Sequence, residues 1–597
     1  QSRAETAAEG GIAMGEKSEK LDAEKGMDKY FFRASAEDFE KIPGSPIAYW
    51  APDPVIKAFE SGVFLGSLVD ARIALATGDN GSFIRSWTEV GFKGIGFGIT
   101  SNDQSIKSGK KWFPCNKGGD YRKWYGNNDN LVNWYDNGND VKSLTEPKTG
   151  RIRSHNYNGK FGFQESVTWS ALSSGKLGVR YSKPGFLFVT PGSSAFKKKA
   201  ELNLYSIQAL LSSNVADYFL RLISATMNIE VGNILRIPFI EPASDTYKIA
   251  TNIIALAKDD WDAYETSWDF GMHSLVECRQ FSLKATYDGI RKEWQDKTDE
   301  TKRLEEENNQ ALIDAYGLND EFSSEVPLKE ITLTCNPYYR YGDKKSGDEL
   351  EALLLRDTMC EFISYAVGCM FGRYSLDKNG LILANQDETL KDYIAQVPDP
   401  QFMPDDDNVI PLIDFDGDWF EDDITERFKK FLKVTFGEDH FAENLAFIEE
   451  AIGKDIKKFF LKDFYTDHVK RYKKRPIYWM FSSPKGSFNA LIYMHRYRPD
   501  TVSVVLNDYL REFRTKLQAR KESHEQIEVS ASASEKEKTQ AIKAIQKINK
   551  VLDEINDYEH DTLYPLAGKP REIDLDDGVK HNYPLFGKAL KKVPGLS

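Results

Sequence analysis

The chain has 597 residues, of which 41% are hydrophobic, and this is enough apolar material for several packed domains. Its net charge is -13, and its five cysteines are scattered without a C-x-x-C pair, which predicts a reducing compartment and no structural zinc site. No window approaches the roughly 18 apolar residues of a membrane span, and the first residues lack the apolar core of a signal peptide. These features favour a cytoplasmic protein with several domains.

The pattern changes along the chain and predicts an α+β multidomain fold, with a mostly β domain followed by a large helical C-terminal region. Residues 1–35 have almost no large apolar side chain and predict a flexible tail or linker, and the proline-rich residues 36–65 predict a connector. In residues 66–245, short aromatic runs alternate with Gly, Asn and Asp turns, and Ile234–Pro238 predicts a last strand. Beyond it we predict a helical spacer (246–345), a helical domain with an acidic patch (346–480) and a helical hairpin domain (481–597).

Residues 66–200 form a basic island in this acidic chain. They contain 20 Lys and Arg against 10 Asp and Glu, a surplus of +10 that leaves -23 for the remaining residues. Five of the eleven tryptophans lie there too, and basic side chains interleaved with aromatic rings are typical of nucleic-acid binding. The alternative is a β domain with a tryptophan-filled core and a solvated lysine surface, and charge and aromatics alone do not separate the two.

Three motifs suggest chemistry, but each lacks an essential part. Phe92-Lys93-Gly94-Ile95-Gly96 matches a methyltransferase cofactor loop, yet no helix is predicted after it. Asn336-Pro337-Tyr338-Tyr339 is close to the N-P-P-Y motif of amino-methylating enzymes but lacks the second proline. Asp414-x-Asp416-x-Asp418 lacks the glycine and glutamate of a calcium loop. Considered alone, the sequence predicts no catalytic residue and no metal site.

Longer blocks carry a resemblance to a known family. They are Ile73–Phe83, Trp112–Asn127, Thr168–Ser170, Gly192–Phe196, Asn228–Ile234, Ala257–Phe270, Leu333–Gly342 and Arg475–Gly486. Together they resemble the target-recognition domain and C-terminal region of the PglX family, the adenine-specific DNA methyltransferases of BREX phage-defence and related restriction-modification systems. Members of that family carry an N-terminal methyltransferase domain with the cofactor loop and N-P-P-Y.

The resemblance implies that this chain is the C-terminal half of a site-specific adenine-N6 methyltransferase and is inactive alone. It implies no cofactor in this chain and S-adenosylmethionine in the missing domain. The implied setting is the bacterial cytoplasm, with no membrane contact. The implied partners are double-stranded DNA, other BREX components and phage inhibitors that mimic DNA.

We predict that the basic domain docks over the DNA major groove and reads a short asymmetric site. The candidate DNA-binding residues are Thr77, Asn80, Arg85, Lys117, Arg122, Lys123, Trp124, Asn127, Arg151, Arg153, Thr168, Trp169, Ser170, Arg180 and Tyr181. The helical remainder, which includes a short basic run at Lys470–Arg475, is predicted to clamp the far side of the duplex or to dock other BREX components. The alternative is an interaction scaffold whose basic domain binds acidic protein partners, and a third hypothesis, an autonomous methyltransferase, requires S-adenosylmethionine to bind this chain.

Overall fold

The computed structural model describes residues 41–43, 51–171, 176–224, 229–415, 417 and 419–596. The predicted tail, residues 36–40 and 44–50 of the predicted connector, and Asp416 and Asp418 lie outside these residues. The strands are β1 (Val63–Phe64), β2 (Val69–Arg72), β3 (Ile84–Ser86), β4 (Trp112–Asn116), β5 (Asn130–Asn133), β6 (Ser166–Ser170), β7 (Val179–Ser182), β8 (Leu187–Phe188), β9 (Gly192–Lys197), β10 (Pro238–Phe239), β11 (Val409–Ile413), β12 (Tyr478–Ser482) and β13 (Phe488–Tyr493).

Among the described helices of seven or more residues, those before residue 245 have at most 10 residues, and the longest ones begin at or beyond Thr246. The helices of seven or more residues are Asp53–Ser61, Asn102–Ser108, Tyr135–Ser143, Leu204–Leu211, Asn214–Ile223, Thr246–Asp262, Leu283–Tyr316, Gly347–Met370, Leu390–Gln396, Ile424–Phe436, Phe441–Ile452, Tyr465–Arg471, Arg511–Val529 and Glu535–Tyr558. Shorter helices are Leu65–Leu68, Asn80–Phe83, Val231–Leu235, Ser274–Glu277, Pro337–Tyr341, Ile456–Phe459, Thr501–Val504, Tyr564–Ala567 and Val579–Asn582. This distribution confirms the predicted α+β class.

Two four-stranded sheets build the basic domain. One has the order β2-β9-β6-β7 and is antiparallel throughout, with Thr168 opposite Ser194 and Arg180. The other has the order β3-β5-β4-β8, in which β4 and β8 run parallel. Trp169 and Val179 of the first sheet pack with helices Leu204–Leu211 and Asn214–Ile223 in one apolar cluster. All five tryptophans of residues 66–200 are at most 2% exposed, so they fill cores.

Two segments differ from their predicted role. Helix Asp53–Ser61, which falls in the predicted connector, buries Val55, Ala58 and Phe59 in the core of the basic domain. The strand predicted at Ile234–Pro238 is wrong: Val231–Leu235 is a short helix, and only Pro238 and Phe239 form a strand, paired with β1. By sequence pattern alone, the apolar run Ile234–Pro238 is compatible with a strand or with a helix. Burial of Ile234 in the core favours the helix.

The C-terminal region surrounds the three-stranded sheet β11-β13-β12 with helices. Gly347–Met370 is buried along most of its length, and Arg511–Val529 and Glu535–Tyr558 form the predicted hairpin on either side of Ser530–Ser534. Within the described part of the chain, no helix has both the length and the apolar content needed to cross a bilayer.

Candidate nucleic-acid interface

A cleft of about 960 Å³ lies between the basic domain and the helical region. Its volume is at the upper end of the range for ligand-binding clefts. Six of the fifteen predicted DNA-binding residues line it: Asn80, Arg85, Lys117, Arg122, Asn127 and Ser170. The fold therefore brings together loops that are distant in sequence, and it does so at a junction between two parts of the chain.

Asn80 is exposed on the domain wall of the cleft and is held in a fixed orientation. Its Oδ1 accepts a 2.7 Å hydrogen bond from the buried Thr77 hydroxyl, so the amide NH₂ is the group left for a ligand. Asp79 caps the following helix by accepting from the backbone N–H groups of Gly81 and Ser82. The Ser82 hydroxyl also donates to this carboxylate, and these hydrogen bonds lower the pKa of Asp79.

The loop Lys117–Asp120 is fixed against two other candidate residues. Ser170 Oγ donates to the Gly119 carbonyl at 3.2 Å, and Asn127 Nδ2 donates to the Asp120 carbonyl at 2.9 Å. Gly118 has φ +86°, and a Cβ there would lie 2.8 Å from Ser170 Oγ. Glycine is needed for this close approach. The neighbouring Lys117 side chain lies at the cleft and has no ion-pair partner among the described residues.

The opposite wall comes from the predicted basic run and from the C-terminal segment. Lys470, Lys473, Arg475 and Lys580 line it. Lys473 pairs with Asp129 at 2.6 Å and Arg475 with Glu89 at 3.5 Å, and both acidic partners belong to the basic domain. The two walls are therefore held together across the cleft by ion pairs.

The floor is a buried network of charges. Arg340 and Arg471 both contact Glu361, at 2.7 and 3.2 Å. Burial raises the pKa of Glu361, but the two guanidinium groups more than offset it, so the pKa is lowered and the carboxylate stays charged. Glu265 is also buried, and its pKa is raised by burial although Arg471 opposes the shift. The floor is thus largely neutralised within the protein.

Eight of the fifteen candidate residues are buried inside the protein, including Arg85 and Arg122 of the cleft lining. Arg122 pairs with Asp260, and Lys123 pairs with Glu305, which also accepts from Trp124 Nε1; all of these side chains are buried. The other buried candidates are Thr77, Arg85, Thr168, Trp169 and Arg180. Burial lowers the pKa of Arg180 to about 10, and the neighbouring Arg122 contributes. In this conformation these side chains stabilise the fold. Direct binding of DNA by them stays a prediction, and their burial does not favour it.

The remaining candidates lie at the surface. Arg151 and Arg153 are exposed on the loop beside Gly78, and a 3.9 Å pair joins Arg153 to Glu146. Tyr181 is half-buried, and its hydroxyl donates to Glu165 at 2.6 Å. Exposed Arg151 and Arg153 are accessible to a partner in solution, whereas the Tyr181 hydroxyl is committed to an internal hydrogen bond.

Much of the basic island is neutralised by the helical region of the same chain. Six of its lysines and arginines pair with acidic residues beyond position 245: Lys93, Lys111, Arg122, Lys123, Lys176 and Lys183. Arg85 donates to the carbonyl groups of Asp576 and Asp577. The sequence feature that could have predicted this docking is the net acidic remainder of the chain. Opposite charges on two domains predict a contact between them as readily as a contact with DNA.

The two motifs that suggest methyl transfer have structural roles here. Asn336 is buried, donates to the carbonyl groups of Leu328 and Ile331, and caps the helix that follows by accepting from Tyr338 N. Phe92–Gly94 is a single 3-10 turn rather than a strand-to-helix loop. A side chain at Gly96 would lie 2.4 Å from the Phe113 ring. Neither segment has the geometry of a cofactor site.

Sequence comparison with known proteins shows similarity to two adenine-specific methyltransferases. The chain is 38% identical over 572 residues to the adenine-specific methyltransferase PglX of Lacticaseibacillus casei (strain Zhang), an alignment that covers 93% of this chain and 45% of PglX. It is 34% identical over 581 residues to the adenine-specific methyltransferase BrxX of Escherichia coli O9:H4 (strain HS), covering 94% of this chain and 46% of BrxX. The chain is a relative of PglX and BrxX. No protein-family model matches it.

The relationship to PglX and BrxX confirms the resemblance predicted from the sequence. The chain spans about half the length of these two relatives. At 34–38% identity over nearly the whole chain, we expect both relatives to share the two sheets and the helical region.

The turn that carries the basic run depends on a neutral histidine, and this predicts acid sensitivity. Nε2 of buried His468 accepts from the backbone N–H groups of Ile477 and Tyr478, each at 3.1 Å. Burial, with Arg471 and Arg373 nearby, lowers the pKa of His468 well below 6.5. Since the unfolded chain then takes up the proton first, the free energy of unfolding should fall by about 1.4 kcal/mol per pH unit below pH 6.5 for this residue.

Thermal unfolding of the wild type and of His468→Gln between pH 7.5 and 5 measures this contribution. The variant should start less stable but lose less on acidification. Buried His273 and His495 also have a lowered pKa and affect both proteins equally. Parallel curves for the two proteins would show that His468 does not titrate as inferred.

Proposed function

We propose that this chain is the DNA-reading part of a BREX-type, site-specific adenine-N6 methyltransferase, and that it directs methylation to one short asymmetric site in host DNA. The similarity to PglX and BrxX over more than nine-tenths of the chain supports this function. The cleft adds structural support, because exposed Asn80 and half-buried Lys117 from separate loops both line it. An asparagine amide can read an adenine edge, and lysine neutralises phosphates.

The methyl donor belongs, in this proposal, to a domain outside these residues. Chemistry on a DNA base needs a flipped base next to the cofactor. The Asn336 amide, the closest match to that motif, is fully used inside the protein. We therefore expect S-adenosylmethionine to give no binding heat with this chain in a calorimetric titration, whereas measurable binding would favour the autonomous enzyme.

Comparison of N6-methyladenine across host genomes with and without the gene for the whole protein tests the function. We expect methylation of one adenine in a single asymmetric word, lost when the gene is removed. Exchanging only the residues that line the domain wall should change or abolish that word while the protein remains folded. An unchanged methylation pattern after gene removal would refute the proposal.

A scaffold function is the second candidate, and the intramolecular ion pairs give it specific support. The basic domain already binds an acidic surface, that of its own helical region, through pairs such as Lys93–Glu388 and Lys176–Glu330. A second acidic protein, such as a phage inhibitor that mimics DNA, could use the same chemistry. Competition separates the two functions, since any polyanion should displace the ligand of a scaffold, whereas a sequence reader should prefer one duplex.

A further inference from the structure

Lysines from three separate segments meet at the cleft. Lys117 comes from the basic domain, Lys470 from the end of helix Tyr465–Arg471, and Lys580 from helix Val579–Asn582. Lys470 and Lys580 are exposed, and none of the three has an ion-pair partner within the described ranges. Unpaired cations that converge on a concave surface concentrate positive potential there.

The acidic groups at the same cleft are mostly neutralised already. Asp129 is paired with Lys473, and Glu89 with Arg475. Glu361 is shared by Arg340 and Arg471. Exposed Asp120 and Asp577 also line the cleft and have no lysine or arginine partner among the described residues. The lining holds ten Lys and Arg against eight Asp and Glu, so the three free lysines leave a small positive surplus for an approaching ligand.

The backbone that carries Lys470 and Lys580 is fixed rather than mobile. The Lys470 turn is held by His468, whose ring accepts from Ile477 and Tyr478. The Lys580 segment is held by Arg85, which donates to the Asp576 and Asp577 carbonyl groups, and by Glu89, which accepts from Val579 N at 3.0 Å. Arg85, one of the predicted DNA-binding residues, positions the segment that presents Lys580.

We infer that Lys470 and Lys580 of the helical region bind phosphates of the DNA backbone across the cleft from the reading loops of the basic domain. This inference rests on the proposed DNA-reading function. The helical region then contributes directly to affinity, as the second wall of a groove that grips one backbone, while Asn80 and Lys117 face the other side. Lysine suits this role because its charge neutralises phosphates without reading a base.

Salt-dependent binding of a fluorescent duplex tests the two lysines. Lys470→Gln and Lys580→Gln should each weaken binding of every duplex, roughly five- to tenfold at 0.1 M salt, and reduce the slope of log affinity against log salt by about one. Lys474→Gln is the matched control, because Lys474 is also exposed and lies close to Lys470 in the chain, but it is not among the residues that line the cleft. It should change affinity less than twofold.

The outcomes separate this inference from the proposed function. Suppose the wild type binds duplex DNA with sequence preference but Lys470→Gln and Lys580→Gln behave like Lys474→Gln. The inference about the two lysines is then wrong, and the proposed DNA-reading function is retained. If all three variants weaken binding equally, the effect is general charge and the inference also fails. If the wild type shows no sequence preference at any salt concentration, the proposed function itself fails. Thermal unfolding of each variant confirms that it is folded.

Discussion

Replacing Glu305 by alanine should destabilise the protein by about 3–5 kcal/mol, because the change leaves the buried Lys123 ammonium without a counter-ion. Glu305 lies on the long helix Leu283–Tyr316, with its side chain 3% exposed, and it also accepts from Trp124 Nε1 at 2.7 Å. Both lost partners belong to the basic domain. The long helix is therefore the support on which the loop Lys117–Asn127 is held in place.

Glu307→Ala provides the control on the same helix. Glu307 is 51% exposed and pairs with Arg303, so its removal should change stability by less than about 1 kcal/mol. Thermal unfolding of the two variants beside the wild type measures the difference. Equal unfolding temperatures for Glu305→Ala and Glu307→Ala would contradict the role of the buried pair.

Arg122→Ala and Asn80→Ala should separate stability from recognition. Arg122 loses a buried ion pair with Asp260 and its stacking between Trp261 and Tyr339, and we expect a loss of about 3 kcal/mol in stability. The loss lies at the low end for a buried pair because Asp260 still accepts from Thr334 N and Cys335 N. DNA discrimination by Arg122→Ala should be unchanged at temperatures where it is folded.

Asn80→Ala should behave in the opposite way. Because the Asn80 amide is exposed, its removal should leave the fold largely intact, apart from the lost acceptor for the Thr77 hydroxyl. The change should cost about 1–3 kcal/mol of discrimination between bases at one position of the DNA site. Affinity for duplexes that differ at single positions, together with thermal unfolding, gives both quantities for each variant. Loss of base discrimination in Arg122→Ala with full stability would reverse these assignments.

The sequence predicts the regular helices well and the site only in part. The hairpin Arg511–Val529 and Glu535–Tyr558 is predictable because its helix-prone residues are broken only by Ser530–Ser534. By contrast, Lys123 and Trp124 carry the residue types of a DNA-binding loop, and what buries them is a glutamate 182 positions along the chain from Lys123. Local pattern cannot show a partner at that separation.

The candidate residues that remain accessible at the cleft follow from a local sequence pattern. Asn80 and Lys117 lie in turns rich in Gly and Asn, and such turns are surface features whatever the sheet order. Lys470 and Lys580 could be seen as charges in the sequence, but their approach to Lys117 depends on how the helical region docks. The sequence therefore predicts which loops are available, and tertiary packing decides which of them share a cleft.

Selection from a randomised DNA duplex library tests the central claim most directly, that exposed loops of the basic domain read base sequence. The wild type should enrich one short asymmetric word at moderate salt, and Asn80→Ala should relax one position of that word while its thermal unfolding stays close to that of the wild type. Retention of library DNA with no enriched word at any salt concentration would contradict the account and favour a general polyanion-binding scaffold.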